Sequence, residues 1–192
     1  MNDTRTSAPA RAAILGAWML AASFVTPALA RDVLPVSART GVELARGAAR
    51  TWSEDAQLVY VENDEPLAPG GTAPRWGYLF YSRSLDASRV YSVREDRIVA
   101  AENLDIQFEA PPLSDPWIDS GAALSAAGDE ATRAFGKGVS STLTNMLLIR
   151  GALQAEDPDE TTWMLVYAAP SAPSLFVVVD ATSGKVRRTW RG

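Results

Sequence analysis

Leu175-Phe176-Val177-Val178-Val179-Asp180-Ala181-Thr182-Ser183-Gly184-Lys185-Val186 is the stretch on which the reading of this chain turns. Leu175 to Val179 is a short apolar run rich in β-branched residues. It is too short for a buried helix and reads as a strand covered on both faces, hence central in its sheet. Asp180 to Gly184 is turn chemistry, because Asp and Ser side chains bond their own backbone and Gly accepts a positive φ. Lys185 to Trp190 then returns as a second strand, so the segment is a hairpin.

Working back from this hairpin, Thr162 to Ala168 and Ser141 to Arg150 read as two further strands. Glu156 to Glu160 (EDPDE) is an acidic turn between them, and Pro170 to Pro173 turns into the hairpin. A helix precedes them, with Leu124, Ala127, Ala131 and Phe135 on one apolar stripe. Either Asp115-Pro116 or Asp119-Ser120 starts it. Gly128 weakens its middle by about 1 kcal/mol relative to Ala, and Gly136 closes it.

The first half of the chain follows the same order. Thr40-Gly41-Val42-Glu43 fits a capping box. Val42, Ala45, Ala49 and Trp52 form one helical stripe. Ala56 to Val61, Arg75 to Tyr81, Arg89 to Val93 and Arg97 to Ala100 read as strands. Glu62 to Thr72 is a turn, acidic and then Pro/Gly-rich. Leu104, Ile106 and Phe108 alternate strictly with polar residues, and Pro111-Pro112 reads as a linker. Anchors recur at nearly the same offset: Trp76 with Trp163, Ile98 with Val186, and Trp52 with Phe135. A period of about ninety residues means a duplicated unit. The expected fold class is therefore α+β, with two repeats of a helix packed on an antiparallel sheet of about four strands. Residues 31–112 form the first repeat and 113–192 the second. Trp76 and Trp163 are expected in equivalent core positions.

Val177 to Val186 resembles the hairpin signature of PepSY domains, a V-D-A-x-T-G-K/E-V pattern. Trp163-Met164-Leu165-Val166-Tyr167 resembles the strand before it. Trp117-Ile118-Asp119-Ser120, with Ala123 and Ala127, resembles the start of the helix in secreted PepSY-like proteins. The resemblance covers about eighty C-terminal residues. In the first half, Tyr91 to Ile98 carries no Gly or Thr in its turn. The resemblance implies a helix-on-sheet unit that binds, inhibits or chaperones a partner such as a peptidase, with no catalytic residues to carry over.

Residues 1–30 read as a signal peptide. Arg5 and Arg11 make a basic start, and Ala12 to Val25 is uncharged. As a helix that run spans about 21 Å, short of the ~30 Å needed to cross a membrane. Ala28-Leu29-Ala30 is a small-x-small cleavage pattern, so the mature chain is expected to begin at Arg31, in the periplasm or outside the cell and without a membrane anchor.

Composition narrows the chemistry. The 192 residues contain no Cys and no His, which removes disulfides, thiol catalysis, iron–sulfur clusters and the commonest general base and zinc ligands. A net charge of −5 gives no footprint for nucleic acid. No cofactor or metal is expected. Ser183 and Lys185 form a conceivable nucleophile–base pair, but a hairpin exit points them to opposite faces. With so many acids, a pair of glycosidase carboxylates can be drawn anywhere and says nothing. Glu62, Asp64 and Glu65, and likewise Glu156, Asp157, Asp159 and Glu160, read as solvated tips without calcium-loop spacing. Lys185, Arg187, Arg188, Trp190 and Arg191 make a basic C-terminal strand. It either docks a partner or protects a sheet edge with charge. The functional expectation is a non-enzymatic binding module acting on a protein partner. A small-ligand or lipid carrier with a cup between helix and sheet is the alternative, and a hydrolase using carboxylates alone is the third reading.

Overall fold

The computed structural model describes residues 33–104, 111–136, 139–151 and 159–192. Ala28, Ala30 and Arg31 at the expected cleavage site lie outside these residues. So do Ile106 and Phe108 of the alternating run, and Glu156 and Asp157 of the second acidic turn.

The chain runs α1 (Val42–Trp52), β1 (Gln57–Asn63), β2 (Arg75–Ser82), β3 (Ala87–Arg94), β4 (Arg97–Leu104), α2 (Ser120–Ala127), α3 (Glu130–Phe135), β5 (Thr142–Arg150), β6 (Thr161–Ala169), β7 (Ala172–Asp180) and β8 (Val186–Arg191). The strands form one antiparallel sheet in the order β4-β3-β2-β1-β5-β6-β7-β8.

This overturns the expected pair of four-stranded, helix-on-sheet repeats. β1 and β5 pair with each other through Tyr60–Ile149, Val61–Leu148 and Glu62–Leu147, so the two sets of strands are continuous. Two separate sheets would leave four edges with unpaired backbone groups; joining them leaves two. The helices are a minor component, with 11, 8 and 6 residues. The strand at Leu175 to Val179, expected at the sheet centre, is second from the edge. Its apolar run reflects burial on both sides of β7.

α1 forms on the predicted stripe and buries Val42, Ala45 and Ala49. The expected capping box does not form. Gly41 occupies the N-cap without a side-chain bond, the Thr40 hydroxyl meets Ser37, and Glu43 pairs with Arg46 at 2.7 Å. Packing explains the glycine: a Cβ there would lie 2.7 Å from the Tyr78 hydroxyl, which donates to the Ala38 carbonyl. The second helix starts at Asp119, whose carboxylate accepts from Ser120 N–H at 2.7 Å and Arg39 N–H at 3.1 Å. Pro116 lies earlier, after a cis peptide bond. At Gly128, φ is 51°, and the helix breaks there into α2 and α3.

One hydrophobic core serves both halves. It joins Ala45 and Ala49 of α1 to Ala123 and Ala127 of α2 through one face of the sheet. Trp76 and Trp163 are both 0% exposed and meet edge-to-face at 6.3 Å. Trp117 meets Trp163 at 5.9 Å. Each strand indole satisfies its N–H on a carbonyl of the segment leading into a helix: Trp76 on Val36 at 2.9 Å, Trp163 on Ile118 at 2.8 Å. A buried indole needs such a partner. Those two segments are tied in turn, since Arg39 donates to the Trp117 carbonyl and covers its ring at 4.1 Å. No helix among the described residues is long and apolar enough to cross a membrane.

Candidate partner-binding face

In a strand, successive side chains point to opposite faces. With Trp76, Trp163, Leu165 and Val177 committed to the helix side, the pairing register assigns the other face. One row there runs Leu79, Tyr60, Ile149, Thr162 and Asp180. The next runs Leu147, Met164, Val178 and Arg188, and a third runs Val166, Phe176 and Trp190. No described helix lies on this face. Leu79, Ile149 and Val178 are buried, while Tyr60, Leu147, Met164, Val166, Phe176 and Trp190 are half-buried.

The predicted basic set is divided by the pleat and by a bulge between Val178 and Val179. Arg187 is exposed but its guanidinium is spent on two carboxylates, bonding Asp180 at 2.8 Å and also Glu160. Arg191 turns to the helix side, donating to the Ala134 carbonyl at 2.9 Å and covering Phe135 at 4.7 Å. Arg188 and Trp190 remain together on the helix-free face. Trp190 stacks on Phe176 with centroids 5.0 Å apart and planes 8° from parallel, and Arg188 lies 5.0 Å above Trp190. Lys185 is exposed in the turn. Phe176 escaped the sequence reading because it lies inside an apolar run. Its offset from Leu175 and Val177 was the available signal, since period 2 sends it to the other face.

The Asp180 turn is a closed network. Its carboxylate accepts from Thr182 N–H at 2.7 Å, Ser183 N–H at 3.1 Å, the Ser183 hydroxyl and Arg187. Burial pushes its pKa up, but the Ser183 and Thr182 donors outweigh burial and hold it at about 2. Burial raises the pKa of Glu160, opposed by Arg187. These side chains are 8% and 7% exposed for Glu160 and Asp180, and the same Arg187 nitrogen holds both. The two carboxyl groups also meet each other, so the pair is closed on itself and on Arg187. Ser183 is spent on Asp180, and the Lys185 backbone, not its amine, meets the Ser183 hydroxyl.

The first acidic tip corrects the solvated reading. Asp64 and Glu65 are only 16% and 24% exposed. Arg75 and Arg94 sit directly opposite each other on β2 and β3, and like charges so placed repel. Glu65 pairs with Arg94, Asp64 lies 3.5 Å from Arg75, and the Ser92 hydroxyl donates to Asp64. Gly77 makes room, since a Cβ there would lie 2.6 Å from the Asp64 carboxylate. Glu62 accepts from the Tyr60 hydroxyl at 2.8 Å. Among the described residues no group of three or more acidic side chains gathers as a metal cage.

Where the three-pair β1–β5 ladder ends, Asn63 takes over. Its carbonyl accepts Met146 N–H at 2.7 Å and its amide donates to the Thr144 carbonyl at 3.3 Å. Beyond it the strands part around a groove of ≈360 Å³ lined by Leu67, Leu143 and Asn145. Compared with known proteins, this chain matches no family model, no curated protein and no solved structure.

Proposed function

We propose that this chain is a non-enzymatic binding module, exported by cleavage after Ala30 to the periplasm or beyond, that holds a protein partner on the helix-free sheet face. A peptidase is the first candidate, on the PepSY resemblance of Val177 to Val186. The observation that carries the reading is the row Val166, Phe176, Trp190 with Arg188 above it. A stacked aromatic pair beside a cation combines the residue types that dominate protein interfaces, namely Trp, Phe and Arg. The carrier alternative needs an apolar cup between helices and sheet; Trp76, Trp117 and Trp163 pack together in that layer, and the cleft of ≈220 Å³ beside α1 is walled in part by Arg46, Arg50 and Asp115.

The test is titration of the purified protein against a secreted thermolysin-type metallopeptidase. Saturable inhibition is expected, and the Phe176→Ala/Trp190→Ala double variant should weaken it at least about tenfold, equivalent to ~1.4 kcal/mol. Inhibition unchanged in that variant would remove the face from the reading. No inhibition by the unaltered protein would remove the peptidase.

A further inference from the structure

We infer that the partner is engaged by strand addition: an extended segment carrying an acidic and an apolar residue two positions apart pairs with the outer edge of β8 as a ninth strand. This rests on the binding reading above and specifies its mode and the chemistry of the segment.

Among the described residues β8 is an edge strand, paired only with β7. Its hydrogen-bonding phase is fixed at one point, because Gly192 N–H donates to the Ser174 carbonyl at 3.1 Å. In an antiparallel ladder, residues alternate between bonding the neighbour and facing away from it. Gly192, Trp190 and Arg188 therefore turn their backbone groups inward to β7. Thr189 and Arg191 present theirs outward, and no described backbone group meets them. An extended chain supplies the complementary donors and acceptors, the usual basis of strand addition to a sheet edge.

Side chains set the specificity. Arg188 and Trp190 flank Thr189 on the helix-free face. Arg188 lies over Trp190 and pairs with no carboxylate among the described residues, and Lys185 in the adjoining turn pairs with none either. The nearby acids, Glu160 and Asp180, are already held by Arg187. In a chain of net charge −5, this edge is a local excess of unneutralised cations. A docking segment with an acidic residue beside Arg188 and an apolar one beside Trp190, two positions apart, satisfies both. The opposite edge, β4, lacks this chemistry. It bulges at Val99, its Arg97 pairs with Glu95 at 3.8 Å, and Glu102 is exposed along it.

The probes are two end-blocked, fluorescently labelled heptapeptides, one with the pattern Thr-Glu-Thr-Val-Thr-Glu-Thr, which sets glutamate and valine two positions apart on one face, and one with lysine in place of each glutamate. Both are titrated by anisotropy against the purified full chain. The glutamate peptide should bind saturably and the lysine peptide should not. Thr189→Pro deletes one outward N–H and leaves the inner ladder intact, as edge positions allow; it should weaken binding at least tenfold with an unchanged melting midpoint. If Thr189→Pro fails to fold, Arg188→Glu decides instead: it should lose the glutamate peptide and gain the lysine peptide. Equal binding of both peptides, no binding of either, or no reversal in Arg188→Glu overturns strand addition, and would leave the arginines as protection of an edge against pairing. Running the peptidase titration on the same variants separates the two readings. Inhibition that persists unchanged in Thr189→Pro and Arg188→Glu sinks strand addition alone, whereas loss of inhibition by the unaltered protein sinks the peptidase.

Discussion

The two halves of the sheet close their charged ends with the same chemistry arranged differently. In the first half, two arginines face each other across β2 and β3, and Asp64, Glu65 and Ser92 gather around them. In the second half, two carboxylates, Glu160 and Asp180, share one arginine, and Ser183 donates to Asp180 alone. One end neutralises excess cation and the other excess anion, and both consume acids that a reading of composition leaves free in solvent. The halves differ also in their helices. α1 is continuous over small buried residues, whereas the second helix breaks at Gly128. The two strand tryptophans differ as well: Trp163 bridges Trp76 and Trp117, while Trp76 touches one aromatic partner among the described residues.

The largest expected effect follows from that asymmetry. Trp163→Ala should cost about 5 kcal/mol and Trp76→Ala about 3–4, within the usual span for deleting a buried aromatic, because aromatic contacts add to the area term. Urea unfolding measures both. A larger loss at Trp76 would break the comparison.

A smaller effect is expected at the seam. Asn63→Ala orphans the Met146 N–H and the Thr144 carbonyl where only three residue pairs join β1 to β5. Leaving a buried backbone group without a partner costs about 1–3 kcal/mol. If equilibrium unfolding shows no loss, the seam does not depend on this side chain.

The smallest effect is read from pH. The pKa of Asp180 is lowered in the folded state from 3.8 to about 2. Its contribution is therefore full above its unfolded value and is lost as pH falls from 3.8 towards 2. Glu160 has the opposite sign. Its folded pKa is raised above 4.5, so its carboxyl favours the fold at low pH and loses that contribution as pH rises through the raised value. Melting midpoints of Asp180→Asn should fall less steeply in acid than those of the unaltered protein, with Asp55, whose pKa is also held down by its serine donors, keeping part of that limb, and those of Glu160→Gln should lack the decline above 4.5. Superimposable profiles would contradict this division of roles.

Local periodicity was enough to find most strands, the α1 stripe, the Gly128 break and the buried tryptophans, because each depends on neighbours within a few residues. The joining of β1 to β5 was not readable. Both strands show the same alternation whether they end a sheet or continue one, and the pairing connects residues from Tyr60 to Ile149. The capping box at Thr40 failed for a similar reason: Tyr78, far along the chain, sets what fits at Gly41. Of the basic set proposed from sequence, Arg188 and Trp190 stand together on the helix-free face. Arg187 and Arg191 are drawn off by Asp180 and by α3, contacts that the spacing along β8 does not encode.

A single sheet with a single core is the claim on which the rest depends, and a double-mutant cycle on Trp76 and Trp163 tests it most directly. Trp76→Leu, Trp163→Leu and the double variant are unfolded in urea and their stabilities compared. Two side chains in contact in a shared core should show a coupling of about 0.5–1.5 kcal/mol within one cooperative transition. Additivity within about 0.3–0.5 kcal/mol, or two separate transitions, would mean that each half holds its own core.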